Sequence, residues 1–463
     1  MNPTTRGTPF FGWYVVAGCF LMAIGSWGLG FYGPGVYLAH LTVARGWPVA
    51  SVSFAITLYF WIGAVLIMTS GPLLDRLGPR GATTLGVCAT FVSVAGIAHV
   101  TQPWQLYPAF ALLAVGWATM SSAAINATLA PWFVRRRGLA LSVALTGASF
   151  GGIVLVPALT AAIRGLGFES GVTLVAGFVC ALILAATWPV FVRAPALRGL
   201  LPDGDAPSTA DPSSAVDSSR AAEAANGGQS GQSGQAGQPV QTGHATRADR
   251  ASRAGDRAAP ARAPVDAHWG LRRVFADRGL ITITLPFAIG LTAQVGLLTH
   301  LLAMLVPLIG ADQAAWMIGA TTASAVAGRF VAGALLDRVS RRRIAAGNFG
   351  VQLAGLLLLA VAVRTDAAPG LILAGCLLFG AGVGNMIAFP GLLVQQAVPS
   401  AHFARVTRLV TGIGQISFAT GPSLMGWLRQ TGGSYQPVLT VCIVLFVLAA
   451  VLVLSGPEGR RDA

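Results

Sequence analysis

The chain has 463 residues, of which 54% are hydrophobic and only 10% are charged. A soluble domain carries roughly 25% charged residues, so a soluble fold of this length would lack the polar side chains that cover a surface. The formal net charge of +14 comes from arginines, which lie in short turns between apolar stretches and not in a basic helix interleaved with aromatic residues. The composition therefore favours a membrane protein over a soluble enzyme or a nucleic-acid-binding protein.

Twelve apolar stretches are long enough to cross a bilayer core, which takes about 20 helical residues. The first of them is far longer than a signal-peptide core, so we expect it to be a retained span. The predicted spans are 13–38, 50–73, 82–99, 105–130, 139–163, 171–192, 280–305, 313–336, 344–363, 370–397, 409–428 and 434–455.

The turns between these spans alternate between those with several arginines and those with at most one. With the N-terminus in the cytoplasm, the inner turns carry Arg76 and Arg80, Arg135 to Arg137, Arg338 with Arg341 to Arg343, and Arg405 with Arg408. The outer turns carry Arg45, Arg164, Arg364 and Arg429. Because positive charge accumulates on the cytoplasmic side, this alternation predicts cytoplasmic N- and C-termini. The absence of lysine fits the codon bias of a GC-rich bacterium, so the predicted location is a bacterial inner (cytoplasmic) membrane.

One charged turn occurs twice, after the second span and after the eighth. The two copies are Gly71-Pro-Leu-Leu-Asp75-Arg76-Leu-Gly78-Pro-Arg80 and Gly333-Ala-Leu-Leu-Asp337-Arg338-Val-Ser-Arg341. A second pair follows the same order, because Phe133 precedes the fifth span as Phe403 precedes the eleventh. The repeat predicts an all-α membrane protein of twelve helices in two six-helix halves, related by an axis along the membrane normal.

The predicted domains follow from this repeat. Residues 1–193 form an N-terminal six-helix bundle and residues 271–463 form a C-terminal one. Between them, residues 194–270 are rich in Ala, Gly, Ser and Gln and nearly free of aromatic and β-branched side chains. Such a composition cannot bury enough apolar surface to offset its conformational entropy, so we expect a disordered cytoplasmic linker.

The opening motif resembles the signature of the major facilitator superfamily, Gly-x-Leu-x-Asp-Arg-x-Gly-x-Arg, and the similarity extends over the chain outside the linker. Within that family the chain looks most like the monocarboxylate-transporter and oxalate–formate-antiporter branch. That similarity rests on Trp132-Phe133-Val-Arg-Arg-Arg137-Gly138 and on Gly328-Arg329-Phe-Val-Ala-Gly333. The resemblance implies a secondary transporter, not an enzyme, that moves a small organic anion such as a mono- or dicarboxylate by alternating access.

The chain also departs from its neighbours within the family. Monocarboxylate transporters are expected to carry a lysine in the first span, where this chain has Gly30-Phe-Tyr32-Gly-Pro34, and an Asp at the position of Ala325. Multidrug antiporters usually carry an arginine in the fourth span, and none lies between Tyr107 and Pro131. A multidrug or other small-molecule exporter remains the alternative function. A non-transporting sensor that signals through the linker is a third hypothesis.

Arg329 is the most informative candidate for substrate binding. It precedes Asp337 by eight residues, or about 12 Å along a helix. A cation at that depth costs roughly 2.5–3.5 kcal/mol to insert, so it needs a wet cavity or a partner. The resemblance assigns this position to a substrate carboxylate, which a guanidinium can bind through both oxygens. The alternative is an arginine satisfied by backbone carbonyls.

Four further residues are candidates for the substrate site. His300 can titrate near neutral pH, which makes a proton a candidate coupling ion. Tyr32, Asn385 and Gln415 are polar groups in apolar surroundings that can either line a cavity or bond a neighbouring helix. The five cysteines lie in apolar runs without CxxC or CxxH spacing, so no metal and no cofactor is predicted.

The repeated turn is the candidate conformational gate, made of Gly71, Asp75, Arg76, Gly78, Arg80, Asp337 and Arg338. A carboxylate at this place can bond the positive N-terminus of a helix in the other half, and the resemblance assigns that role to Asp75. Making and breaking this bond would bias the carrier between its two states. The predicted partners are an organic anion, a proton and the lipid bilayer, with no nucleic acid, and a monomer suffices.

Overall fold

Long stretches without charges must bond their backbone groups internally when they lie in lipid, and a helix does so within one segment. In the computed structural model, all regular structure among the described residues is helical. The structure describes residues 10–69, 71–191, 195, 200–204, 271–336, 338–365 and 369–457. Most of the predicted linker lies outside these ranges.

The N-terminal half contains six long helical segments, two of which carry a π-helical turn, at Gly28–Tyr32 and Gly151–Leu155. The segments are α1 (Gly12–Ala44), α2 (Val49–Thr69), α3 (Gly71–His99), α4 (Pro103–Leu129), α5 (Arg137–Leu166) and α6 (Phe168–Thr187).

The C-terminal half follows the same order after a short helix at Leu271–Ala276. Its tenth helix is broken into two pieces. The segments are α7 (Arg278–Ile309), α8 (Ala311–Leu335), α9 (Arg341–Thr365), α10 (Pro369–Val383 and Phe389–Ala397), α11 (Ser400–Gly432) and α12 (Gln436–Leu454).

Ten helices of the described part are long and apolar enough to cross a membrane. The other two predicted spans are also helical but differ in form. The predicted span 370–397 is the broken α10, interrupted between Val383 and Phe389. The predicted span 409–428 is the middle of α11, whose 33 residues include three arginines that lower its mean hydropathy. The all-helical prediction is therefore confirmed.

Glycines bring the innermost helices of each half into backbone contact. A Cβ atom at Gly151 of α5 would lie 2.7 Å from the backbone nitrogen of Gly28 in α1. In the second half, a Cβ atom at Gly296 of α7 would lie 2.7 Å from the carbonyl oxygen of Gly421 in α11. Because small residues let helices approach closely in lipid, the two pairs build the same contact in the two halves.

Hydrogen bonds and an ion pair join the two halves at one end of the bundle, which we call the closed end. There the Ala50 backbone N–H donates to Gln430 Oε1 over 3.0 Å. Ser423 N–H donates to Thr57 Oγ1 over 3.0 Å, and Arg164 pairs with Asp312. The turn Gly71–Arg80 lies at the other end of α2, which we call the motif end.

Candidate solute-binding site

Tyr32 lies where three helices from both halves meet. A Cβ atom at Gly152 of α5 would lie 3.0 Å from Tyr32 Cε2 and 2.6 Å from Thr322 Oγ1 of α8. The Tyr32 hydroxyl also interacts with the Thr322 side chain and, electrostatically, with Arg329. Tyr32 and Arg329, which the sequence predicted separately, therefore lie on opposite sides of the boundary between the halves.

Arg329 is anchored by only part of its guanidinium. Its Nε donates to the carbonyl oxygen of Gly384 over 3.0 Å, and its two terminal amino groups have no hydrogen-bond partner among the described residues. The side chain is exposed and sits six residues, about 9 Å, from the end of α8 at Leu335. A guanidinium held in this way can offer a fork of donors to an anion.

The carbonyl that holds Arg329 is free because α10 breaks there. Residues 384–388 form turns and not helix. The carbonyl oxygen of Gly384 therefore accepts no regular helical hydrogen bond and is available to Arg329. Asn385 stabilises the break: its Nδ2 lies 3.1 Å from Asn348 Oδ1 and 3.3 Å from the carbonyl oxygen of Gly328. Broken helices of this kind recur at substrate sites of secondary transporters. Asn385 therefore positions the Arg329 anchor from inside the C-terminal half.

Two further polar residues of this network were not among the sequence candidates. Asn348 in α9 donates to the carbonyl oxygen of Gly382 over 3.2 Å. Gln352 lies one turn further along α9, is fully buried, and has no hydrogen-bond partner for its Oε1 among the described residues. Their spacing of four residues on one face of an otherwise apolar helix was the available signal.

Gln415 and His300 occupy different surroundings. Gln415 of α11 is partly buried and makes no hydrogen bond to another described residue. His300 of α7 is fully buried at the closed end. Its Nε2 lies 3.2 Å from Ser53 Oγ of the N-terminal half and 3.1 Å from the carbonyl oxygen of Pro422. Its Nδ1 lies 3.4 Å from the Tyr435 hydroxyl. His300 therefore bridges the two halves.

Tyr32 and His300 occupy matching positions in the repeat. Tyr32 follows Gly28 by four residues in α1, and His300 follows Gly296 by four residues in α7. The two glycines make the same helix–helix contact in their halves. One position of the repeat thus carries a tyrosine near the cation and, in the other copy, a histidine at the closed end.

Aromatic rings cover the part of the N-terminal half that leads from Tyr32 toward the motif end. The ring centroids of Trp27 and Trp117 are 4.9 Å apart and those of Phe31 and Tyr32 are 5.1 Å apart. Phe31 is also stacked over Trp117, at 6.3 Å and 20°. All four side chains are partly buried. We call Trp27, Phe31 and Trp117 the aromatic platform.

The first copy of the repeated turn contains a kink at Gly78. Gly78 has φ of 67° and ψ of 176°, so it kinks α3 between a first piece at residues 71–77 and a longer piece that begins at Pro79. Asp75 is exposed and has no hydrogen bond or ion pair to another described residue. The Arg80 guanidinium lies 6.0 Å from the centre of the ring of Trp188, the residue that follows α6.

The second copy is braced more firmly. Asp337 lies outside the described residues, and Arg338 is exposed. Arg342 is buried and donates to Thr282 Oγ1 at 3.2 Å and to the carbonyl oxygen of Val453 at 2.9 Å. This side chain ties the start of α9 to α7 and α12, a function that the sequence did not reveal because four arginines are neighbours there.

The predicted linker begins with a contact to the N-terminal half. The Asp203 carboxylate accepts hydrogen bonds from the backbone N–H groups of Val134, Arg135 and Arg136, at 3.0, 2.8 and 3.3 Å. These bonds, with that to Arg135 first, lower the pKa of the Asp203 carboxyl below its ordinary value. The carboxylate stays ionised at neutral pH and fastens residues 200–204 to the turn between α4 and α5.

Two six-helix halves that meet around a polar centre, with one end joined and a charged turn at the other, define a membrane transporter. The chain belongs to the Major Facilitator Superfamily, whose family model matches residues 15–422 and, in a second alignment, residues 274–462. It is therefore a multi-pass transporter and not an enzyme, as the sequence predicted.

Two curated relatives share part of the chain. The riboflavin transporter MCH5 of Saccharomyces cerevisiae is 30% identical over 150 residues, which are 31% of this chain and 28% of that protein. The MFS-type transporter 1 of an Ophiocordyceps species is 27% identical over 194 residues, 40% of this chain and 42% of that protein. The chain thus matches less than half the length of either relative, and neither is named as a carboxylate transporter.

Solved structures show the same fold over nearly the whole chain. A D-xylose–proton symporter is similar with a TM-score of 0.63 and 14% identity, covering 97% of this chain and 99% of that one. A point mutant of the nucleoside transporter NupG is similar with a TM-score of 0.64 and 10% identity, covering 95% and 99%. At these identities the similarity establishes the fold alone.

Proposed function

We propose that this carrier moves a small organic anion and that Arg329 binds the substrate's carboxylate. The proposal rests on the hydrogen bonding of the Arg329 guanidinium. Its Nε donates to the carbonyl oxygen of Gly384, whereas its two terminal amino groups have no hydrogen-bond partner among the described residues. A partly exposed cation inside a membrane helix is retained where it serves a wet site. An incoming carboxylate supplies both the missing acceptors and the neutralising charge.

The other predicted side chains have matching roles in this proposal. The Tyr32 hydroxyl beside Thr322 supplies a donor from the N-terminal half, and the free amide of Gln415 supplies a polar contact from α11. Asn385 and Asn348 keep α10 broken and so keep the Arg329 anchor in place. The similarity of Gly328-Arg329 to the monocarboxylate-transporter and oxalate–formate branch supports a mono- or dicarboxylate as the substrate.

The proposed orientation puts the motif end and both termini in the cytoplasm of a bacterial cell. The arginine alternation supports it, since the arginine-rich turns all lie on the side of Arg76 and Arg80. In this orientation the closed end faces outward. Asp75, exposed and unpaired here, bonds the opposite half when the cytoplasmic side closes, and Asp337 would act in the same way from the second copy.

Coupling to protons is part of the proposal. His300 bridges the halves, and its Nε2 lies near two oxygen atoms, those of Ser53 and Pro422. A change in its protonation alters which of its nitrogens can donate, and so alters the bond that holds the closed end. Uptake in liposomes with and without an imposed pH gradient tests this step directly.

The deciding experiment compares Arg329→Gln with Arg364→Gln in proteoliposomes. Arg364 is also an arginine of the C-terminal half, but it lies at the closed end of α9 and bonds only the Gln436 side chain among the described residues. We expect Arg329→Gln to abolish saturable carboxylate uptake and Arg364→Gln to retain it, with both proteins eluting as folded species. Full uptake by Arg329→Gln would refute the proposal.

An uncharged solute is the second candidate, favoured by the uncharged aromatic platform and by the relative that is a riboflavin transporter. The same pair of variants separates the two functions. Transport of an uncharged ring compound that is indifferent to Arg329→Gln would support this candidate. A multidrug exporter of cations would need an acidic residue near the platform, and accumulation assays with cationic dyes test it.

A further inference from the structure

We propose that the substrate is a planar aromatic organic anion, whose ring stacks on the platform of Trp27, Phe31 and Trp117 while its carboxylate binds Arg329. This inference rests on the proposed function, because it takes the anion site at Arg329 as given. It adds the shape and the ring chemistry of the substrate, and it assigns the ring to the N-terminal half and the charge to the C-terminal half.

The first support is the depth of the two features. Trp27 precedes Tyr32 by five residues in α1, which places it about 7 Å from Tyr32 toward the motif end. Arg329 follows Thr322 by seven residues in α8, about 10 Å in the same direction. Since Tyr32 and Thr322 touch, the platform and the guanidinium lie at similar depths in opposite halves.

The second support is that the platform faces the boundary between the halves. Phe31 lies 6.0 Å from Phe60, whose ring lies 5.2 Å from Phe418 of the C-terminal half. Phe60 and Phe418 are buried and close the boundary. Trp117 lies on the motif side of this pair, over Gly63, which follows Phe60 by three residues. A solute arriving from the motif end therefore meets Trp117 before it meets the closed pair.

The third support is the unused polar chemistry of the platform. Neither the Trp27 nor the Trp117 indole N–H has a hydrogen-bond partner among the described residues. An aromatic side chain with a free N–H suits a ligand that is apolar over its ring and polar at its edge. A planar aromatic ligand gains both the stacking energy and the burial of its apolar surface, whereas a saturated ring of equal size gains only the burial.

Ligand binding to the purified carrier in nanodiscs tests the inference, with benzoate, cyclohexanecarboxylate, acetate and benzamide as probes. Thermal stabilisation and quenching of tryptophan fluorescence report binding. We expect benzoate to bind roughly five- to tenfold more tightly than cyclohexanecarboxylate. Acetate should bind more weakly still, and benzamide, which lacks the charge, should bind weakly.

Three variants assign this preference to the platform. Trp117→Leu should bring the benzoate-to-cyclohexanecarboxylate ratio close to one while it leaves cyclohexanecarboxylate affinity within about twofold. Trp117→Phe keeps a flat ring and should restore most of the ratio, which guards against a general folding defect. Trp104→Leu removes an exposed tryptophan at the closed end and should change neither affinity.

The outcomes separate this inference from the proposed function. If both carboxylates bind equally well and both depend on Arg329, the ring assignment is wrong and the anion site stands. A ratio that survives Trp117→Leu also overturns the ring assignment. If benzamide binds as tightly as benzoate and neither depends on Arg329, the anion site itself is wrong, and the proposed function fails with it.

Discussion

The two halves share a plan and differ in chemistry. Each half brings its innermost helices together through a glycine pair, Gly28 with Gly151 and Gly296 with Gly421. The N-terminal pair is bordered by π-helical turns and aromatic rings, whereas the C-terminal half buries a network of amides beside Arg329. The two copies of the repeat thus keep the same helix contacts while one half carries aromatic rings and the other carries amides beside a cation.

The two halves also differ in how firmly arginine side chains hold their helices at the motif end. In the first copy of the repeated turn, Arg80 lies against the face of an exposed tryptophan, whereas Arg342 near the second copy is buried and bonds two neighbouring helices. The C-terminal half therefore has the more firmly fixed motif end. A rigid frame suits a half that holds the Arg329 side chain in a defined place.

The largest expected loss of stability concerns the close backbone contact between α8 and α10 at Gly328, next to Arg329. A Cβ atom at Gly328 would overlap the carbonyl oxygen of Ala381 in α10, and a backbone atom cannot move aside as a side chain can. We expect Gly328→Ala to lower the free energy of unfolding by about 3 kcal/mol or more. Thermal unfolding followed by size-exclusion measures it.

The matched control is Gly347→Ala in the neighbouring α9, where an added Cβ meets nothing within 4 Å. This variant should keep or slightly raise the melting temperature, because alanine favours a helix over glycine by roughly 0.5–1 kcal/mol. Equal stability of the two variants would contradict the close packing of α8 on α10.

The next effect tests the unequal bracing. Arg342→Met should cost about 2–4 kcal/mol, because it leaves the acceptors at Thr282 and Val453 without a charged donor. Arg80→Met should cost about 0.5–1 kcal/mol, the size of an exposed cation–π contact. The difference in melting temperature between the two variants is the measurement, and a larger loss for Arg80→Met would reverse the comparison.

The smallest effect concerns the place where the halves meet. His300→Phe removes the hydrogen bonds to Ser53 and Pro422, and so should favour opening of the closed end by roughly two- to tenfold. Spin labels at Val43 and Thr431, exposed at that end, would report a longer distance in a protein in which the exposed Cys88 is replaced by serine.

Thr299→Val is the control for this change, because among the described residues the Thr299 hydroxyl donates only to the carbonyl oxygen of Val295 in its own helix. It should leave the distance distribution between the labels unchanged. An unaltered distribution in His300→Phe as well would show that the histidine does not hold the closed end.

Much of the fold was predictable because lipid imposes simple demands. Apolar length predicted the long helical segments of both halves, and the charged turn after the second span coincides with the kink at Gly78. The interruption of α10 was not predicted, although Gly384 and Pro390 lie on either side of it. Helical propensity and hydropathy do not register a break that Asn385 and Asn348 stabilise through tertiary contacts.

The candidate site was predictable only in part. The repeated turn supplied the distance along α8 that predicts the depth of Arg329, but no pattern along the chain pairs Arg329 with Tyr32 across the halves. The sequence also could not distinguish Gln415, whose amide has no hydrogen-bond partner among the described residues, from His300, whose two ring nitrogens both have partners. Those assignments depend on neighbours that are far apart in the chain.

The shared position of Tyr32 and His300 has a consequence for how such a carrier can change. The two residues occupy one position of the repeat, yet Tyr32 lies near Thr322 of α8 whereas His300 lies 3.2 Å from Ser53 at the closed end. Under the proposed function, we expect substitutions of Tyr32 to change substrate selectivity and substitutions of His300 to change the stability of the closed end. The repeat therefore gives the protein two positions with matching helix contacts that can be changed separately.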